Sequence, residues 1–281
     1  MSFLDRIAEC NAHDLSRFRP FLAAGRRVGW VRHALAQRLS RFDDVLDVTH
    51  DAVTLDRALD DFPSRSAAID RVVRALAAEG IVTGVREEAY PVTTGFTHPP
   101  LFKMERAAIP HFGVRAYGVH MNGVVRRAEG LHMWVARRAF DKPTYPGMLD
   151  NTVAGGQPIG LGLLENLVKE CEEEAGIPAA LAGRAIAVGA ITYCMEAEDG
   201  LKPDVQFCYD LELPEGFTPV NRDREIAEFY LWPIERVAQV VRETREFKFN
   251  CNLVIIDFLV RQGLIAPDDP DYLDIVQGLR R

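Results

Sequence analysis

The chain has 281 residues, 48% hydrophobic and 26% charged, the balance of an ordinary globular protein long enough for two units or one large one. A formal net charge of −8 argues against generic nucleic-acid binding, which wants a basic surface, so an anionic ligand would have to be drawn by local cations or metal. No apolar run reaches the ~20 residues that cross a bilayer, the start Met1-Ser2-Phe3-Leu4-Asp5-Arg6 lacks a signal-peptide pattern, and the five cysteines are scattered without a CxxC pair, so a cytoplasmic protein without a disulfide framework is expected.

In chain order, Phe3–Cys10 reads as a short helix, Val31–Ser40 as an amphipathic helix, and Arg65–Glu79 as a longer one stopped by Gly80. Val45–Val48 and Val53–Leu55 read as short strands around a turn. Pro91, Pro99-Pro100 and Pro110 break up a strand-poor junction. From about residue 113 the pattern becomes strand-rich. Val114–Met121 and His132–Arg138 fit two strands separated by Asn122-Gly123, a turn signal. We therefore divide the chain into a smaller α+β domain over residues 1–112 and a second domain over residues 113–281. No cluster of titratable residues stands out in the first, which is expected to cover the site or select the substrate.

The most informative stretch follows, from Gly155 to Ile177: a glycine-rich loop running into a helix with five glutamates among residues 165–174. At roughly 100° per residue, Glu170, Glu173 and Glu174 share one sector of that helix, while Leu164, Leu167, Val168, Cys171 and Ala175 share the roughly opposite one. Like charges at i, i+3 and i+4 repel, and a hard divalent cation with oxygen ligands relieves the repulsion. Magnesium is the expected ion, with manganese as the alternative. Gly155 and Gly156 let backbone approach a metal or phosphate closely. Three glutamates on a helix are more often a solvated face; the glycine loop before them and the Gly176 stop after them favour the metal reading. Glu165 and Glu172 point away from the cluster, and Cys171, on the buried stripe, reads as a small hydrophobe.

Beyond this helix, Ala185–Cys194, Val205–Leu213 and Glu228–Leu231 read as strands, and Pro233–Glu243 and Leu253–Gln262 as helices. Periodicity alone gives α+β or α/β. His111, His120 and His132 show no ligand spacing and read as structural.

The Gly155–Ile177 stretch resembles the box of the Nudix hydrolase family: glycine, five residues, glutamate, seven residues, then Arg-Glu-apolar-any-Glu-Glu-any-Gly-apolar. Gly155, Glu170, Cys171, Glu173, Glu174, Gly176 and Ile177 fit. Leu161 stands at the first glutamate and Lys169 at the arginine. In the family pattern that glutamate braces the arginine; here Glu165, four residues before Lys169, is expected to replace it. The variant resembles the branch related to the N-terminal half of fungal thiamine pyrophosphokinase and its plant and yeast homologues. Leu149-Asp150-Asn151, Glu165–Ala175, Gly130–Arg138 and Phe247-Lys248-Phe249-Asn250-Cys251-Asn252 carry that resemblance.

The resemblance implies an α/β/α sandwich with a mixed sheet and a magnesium-dependent hydrolase cutting a diphosphate, most simply a thiamine-diphosphate-like or damaged cofactor analogue. It implies Glu170, Glu173 and Glu174 as metal ligands in the catalytic group, Lys169 as their orienting cation, and Glu165 as support. Glu228 is a candidate catalytic carboxylate with Glu225 supporting it, and Lys248 and Asn250 are candidate substrate contacts alongside Gly155 and Gly156. The partner is then a small-molecule diphosphate, with no nucleic acid and no membrane, and the chain could act as a homodimer. Two other readings stay open: a pyrophosphatase for nucleoside-diphosphate derivatives such as sugar nucleotides or dinucleotides, and a non-catalytic nucleotide-sensing module.

Overall fold

A computed structural model describes residues 2–281. The helix α1 (Phe3–Cys10) opens the chain, capped by reciprocal hydrogen bonds between Ser2 and Asp5. Next come β1 (Phe18–Ala23), β2 (Arg26–Arg32), α2 (His33–Leu39), β3 (Leu46–Val48) and β4 (Val53–Leu55), which build a four-stranded sheet in the order β2-β1-β4-β3. The turn between β1 and β2 uses Ala24 and Gly25, both at positive φ. The helix α3 (Phe62–Ala78) begins at an Asp61–Ser64 cap with Pro63 in its first turn, and the hairpin β5 (Ala89–Val92) and β6 (Phe102–Glu105) follows. Phe21, Val31, Leu39, Ile69, Leu76, Phe102 and Phe112 form the core of this part.

The second part holds β7 (Tyr117–Arg127), β8 (Gly130–Arg138), β9 (Leu149–Asp150), β10 (Val153–Gly156), α4 (Leu163–Ala175), α5 (Ala179–Ala182) and β11 (Ile186–Thr192). It continues with β12 (Met195–Ala197), β13 (Gly200–Lys202), β14 (Val205–Glu212), β15 (Ile226–Pro233), α6 (Ile234–Glu243), α7 (Phe249–Arg261) and α8 (Tyr272–Gly278). Its seven-stranded sheet runs β11-β14-β7-β8-β15, with β10 on β7 and β9 on β8. The β14–β7 pair is parallel and the others antiparallel, so the sheet is mixed. Val119, Met121, Leu167, Cys171 and Ala175 join one face to α4. Met133, Val135, Val237, Val254 and Phe258 join the other to α6 and α7. This is the expected α/β/α sandwich. Among the described residues no helix is long and apolar enough to cross a membrane.

Several expectations need correction. Asn122-Gly123 is not a turn but mid-strand in β7. Asn122 is buried and bonds Asp210 and Asn151, and the Gly123 amide bonds Thr152, so tertiary partners override the turn signal. Val31–Ser40 is split, with β2 running to Arg32 before α2 starts. The proline-marked junction contains β5–β6, where Pro91 is tolerated because that ribbon has only two strands. The boundary at residue 112 also cuts across packing, because Ile7 and Cys10 of α1 lie in the core beneath α7 and α8.

Candidate functional site

Gly162, in extended conformation, starts α4, and its amide donates to Glu165 Oε2 at 3.3 Å. Gly176 ends it in the left-handed region at φ 61°, where a side chain would be strained, and the Gly176 and Ile177 amides bond the Glu172 and Cys171 carbonyls. Between these caps Leu167, Cys171 and Ala175 face the sheet as expected. Leu164 is exposed instead, and Asn166 takes the buried position because its amide donates to the Gly156 carbonyl at 2.8 Å. That bond ties α4 to the glycine strand β10.

The three carboxylates have different settings. Glu174 is 5% exposed and its Oε2 accepts the Ala154 amide at 2.9 Å. Burial pushes its carboxyl well above the usual range, the amide opposes, and the Glu170 charge adds to the rise. Glu170 lies against Gly155: a β-carbon built there would stand 2.5 Å from Glu170 Cδ. Burial raises the Glu170 carboxyl too, with Lys169 opposing and Glu173 reinforcing. Glu173 is the more exposed member and pairs with Lys169 Nζ at 2.5 Å; Glu170 Oε1 is 3.4 Å from the same ammonium. The expected Glu165–Lys169 brace is thus replaced. Glu165 caps the helix, and Lys169 bonds Glu173 and Glu170, two of the carboxylates it was expected to orient.

The first part of the chain reaches this cluster. The Ile159 amide bonds the Ala89 carbonyl at 3.0 Å, and the Tyr90 ring packs over Gly156. Arg106 lies over Tyr90, 5.8 Å from the ring centroid, and pairs with Glu88 at 2.8 Å. Arg86 pairs with Glu225 at 3.5 Å, and Lys142 pairs with it from the other side. Burial would raise the Glu225 carboxyl, but Lys142, Arg86 and Arg106 hold it below the usual range. Glu228 is exposed on β15 and accepts from the Tyr230 hydroxyl at 2.6 Å. A cavity of about 390 Å³ beside the helix is lined by Lys169, Glu172, Glu173, Arg222 and Asp223, so it follows the outer side of α4 and Glu170 and Glu174 do not line it.

Lys248 and Asn250 fall elsewhere, at the start of α7 on the opposite sheet face. Asn250 Nδ2 lies 3.4 Å from the Tyr193 hydroxyl and 3.5 Å from His120 Nε2. His120, Asp150 and Cys251 there offer ligand atoms within 4.8 Å of one another. Their chemistry does not suit magnesium, which takes oxygen ligands. Asp150 is already neutralised by Arg138 at 2.9 Å, and the Cys251 thiol, raised by burial and the Asp150 charge, donates to Asp150. Burial and then Lys248 carry His120 down to about 4. Burial would raise Asp150, but Lys248 and Arg138 hold it at about 2. Glu170, Glu173 and Glu174 offer only oxygen, as a hard cation wants, beside a strand whose missing side chain at Gly155 leaves room for Glu170, but among the described residues the three do not gather within 4.8 Å of one another as His120, Asp150 and Cys251 do.

Tyr90, Arg106, Lys142 and Asn166 were not found by sequence reasoning. Tyr90 and Arg106 lie in segments without periodic pattern, and Asn166 looks like any polar helix residue.

Compared with known proteins, residues 2–116 match a family model described as "Domain of unknown function (DUF4743)". Over 289 residues the chain is 45% identical to "Nudix hydrolase 20, chloroplastic" of Arabidopsis thaliana, covering 99% of this chain and 77% of that one. Over 282 residues it is 45% identical to "Nudix hydrolase 24, chloroplastic" of the same plant, with the same 99% and 77% coverage. It is also 34% identical over 240 residues to "Uncharacterized protein YJR142W" of Saccharomyces cerevisiae, covering 79% of this chain and 69% of that one.

Proposed function

The chain belongs to the Nudix hydrolase family, and from that premise we propose that it cleaves a diphosphate linkage with Glu170, Glu173 and Glu174 holding magnesium. Bound there, the ion would screen phosphate charge and lower the pKa of the attacking water. The remaining work falls to the chain itself. The Ala154 amide fixes one oxygen of Glu174 and leaves the other for a ligand. Lys169 holds Glu173 and Glu170 at a common spacing as a second layer of support. Gly155 leaves room for Glu170 and Gly156 for the Tyr90 hydroxyl, and Lys142 and Arg86 keep Glu225 charged near the cluster. The observation that carries the reading is the seating of Glu170 on Gly155 and of Glu174 on the Ala154 amide, which turns helix carboxylates toward a strand of small residues.

For the substrate we infer a thiamine-diphosphate-like molecule, including damaged forms of that cofactor. Support comes from the resemblance of Leu149-Asp150-Asn151 and Phe247–Asn252 to the thiamine-linked branch. The five cysteines are free and four are buried, which suits a reducing compartment; we infer the cytoplasm, although the plant relatives are named chloroplastic. The test is phosphate release with magnesium from a panel of thiamine diphosphate, ring-oxidised analogues, sugar nucleotides and dinucleotides. Highest kcat/KM on a thiamine-like member supports the reading; preference for a nucleotide sugar or dinucleotide overturns the substrate, and no hydrolysis of any member overturns the activity.

A further inference from the structure

The hairpin β5–β6 packs on the glycine strand of the box. Tyr90 is 4% exposed, and its phenol oxygen stands only 1.5 Å from where a β-carbon on Gly156 would lie. Such contact requires glycine at 156, and it presses the hydroxyl onto the strand that Glu170 and Glu174 face from α4. Among the described residues this hydroxyl has no hydrogen-bond partner. A buried hydroxyl without a partner carries a desolvation cost that a ligand acceptor would remove.

A cation stands beside it. The Arg106 side chain is 46% exposed, lies over the Tyr90 ring, and shares its charge among Glu88, Glu225 and Glu170. Within the box itself the one cation near the carboxylates is Lys169, engaged by Glu173 and Glu170. A diphosphate entering a cleft of glutamates needs positive charge on its other side, and arginine presents a planar fork matched to phosphate oxygens.

We propose that Tyr90 and Arg106 complete the diphosphate site from the first part of the chain, the Tyr90 hydroxyl donating to a phosphate oxygen beside the glycine strand and the Arg106 guanidinium pairing with the non-bridging oxygens. The proposal rests on the diphosphatase reading. It gives residues 1–112 a share in phosphate binding beyond covering the site or selecting the substrate.

The test uses the full chain and methylene diphosphonate, whose carbon bridge cannot be hydrolysed, titrated with and without magnesium. Tyr90→Phe keeps the ring, and Arg106→Gln keeps a polar side chain without charge. Each is expected to weaken diphosphonate binding about ten- to a hundredfold, the range for a lost hydrogen bond to a charged group. Each should also raise KM, while the magnesium-dependent rise in melting temperature stays as in wild type. Wild-type diphosphonate affinity in Tyr90→Phe and Arg106→Gln overturns the proposal and leaves the diphosphatase reading standing. Absence of magnesium-dependent diphosphonate binding in the wild-type chain overturns both. A lower melting temperature in Tyr90→Phe with unchanged affinity assigns the hydroxyl a packing role and also overturns it.

Discussion

Glu170 occupies the space a side chain at Gly155 would need, with its Cγ and Cδ both 2.5 Å from the built β-carbon position. Gly155 has no positive φ, so alanine is allowed by the backbone there, and the three atoms nearest the built β-carbon all belong to Glu170. Gly155→Ala should displace Glu170 and lower kcat/KM by a hundredfold or more, on the order of 3 kcal/mol of transition-state stabilisation. The magnesium-dependent rise in melting temperature should shrink with it. Retained activity in this variant would detach Glu170 from catalysis.

Glu174→Gln should separate folding from turnover. Burial penalises the charged form of this carboxyl, and a glutamine oxygen can still accept the Ala154 amide. We expect unchanged or slightly higher stability without magnesium, because an uncompensated buried charge is removed, and near-complete loss of turnover. Glu173→Gln should also lose turnover, with a smaller stability change, since Glu173 is half-exposed on Lys169. Thermal melts with and without magnesium, beside initial rates, check both; full activity in the pair removes the metal assignment.

Lys169 bonds Glu173 and Glu170, whereas Glu165 bonds the Gly162 amide. Two double-mutant cycles on kcat/KM should therefore differ. Lys169→Met with Glu173→Gln should be strongly non-additive, and Lys169→Met with Glu165→Gln close to additive. Glu165→Gln should act mainly on stability, by about 1 kcal/mol or less through the weakened helix cap. Coupling between Glu165 and Lys169 as large as between Lys169 and Glu173 would restore the brace.

What the sequence disclosed and what it hid have physical reasons. The carboxylate face of α4 was legible because the positions of Glu170, Glu173 and Glu174 on a helix fix their sector, whatever lies outside. The sandwich came with the resemblance at the box, and most strands of the second part were readable from apolar runs. Asn122-Gly123 misled because a local turn preference is weaker than the buried bonds of Asn122 to Asp210 and Asn151. The i,i+4 spacing of Glu165 and Lys169 permitted a pair, but the orphan Gly162 amide offered Glu165 a nearer partner. Tyr90 and Arg106 were invisible because their place depends on how β5–β6 docks on β10, a relation between segments far apart in the chain.

Truncation to the second part should fail. A chain beginning near residue 113 loses β5–β6 and also α1, whose Ile7 and Cys10 are 3% and 1% exposed in the core with α7 and α8. Arg6, 1% exposed, also donates to the Val241 carbonyl from α1. We expect that fragment to be insoluble or molten. In the full chain, Ile7→Ala should cost about 2–5 kcal/mol, the range for emptying a core site, with kcat of the folded fraction little changed. A folded, cooperatively melting fragment from residue 113 would show that α1 is dispensable.

His120 should give the protein a stability that falls with acid. Burial, and next the Lys248 charge, lower its pKa from 6.5 to about 4, with Arg138 also lowering it and Asp150 and Asn151 opposing. Between those values the unfolded chain binds a proton that the folded chain refuses, so folding stability rises with pH across this window and is lost as pH falls from 6.5 toward 4. Asp204 works in the opposite direction. Burial raises it from 3.8 to about 6, so its contribution is present at low pH and disappears as pH rises through 6. The two partly cancel in wild type, and the comparison with His120→Asn isolates the histidine. Between pH 7 and pH 5 the wild type should lose about 2 kcal/mol more than the variant in denaturant unfolding. Equal losses in both would mean that His120 titrates in the folded protein as it does in the unfolded chain, and that its buried setting beside Lys248 does not persist in solution.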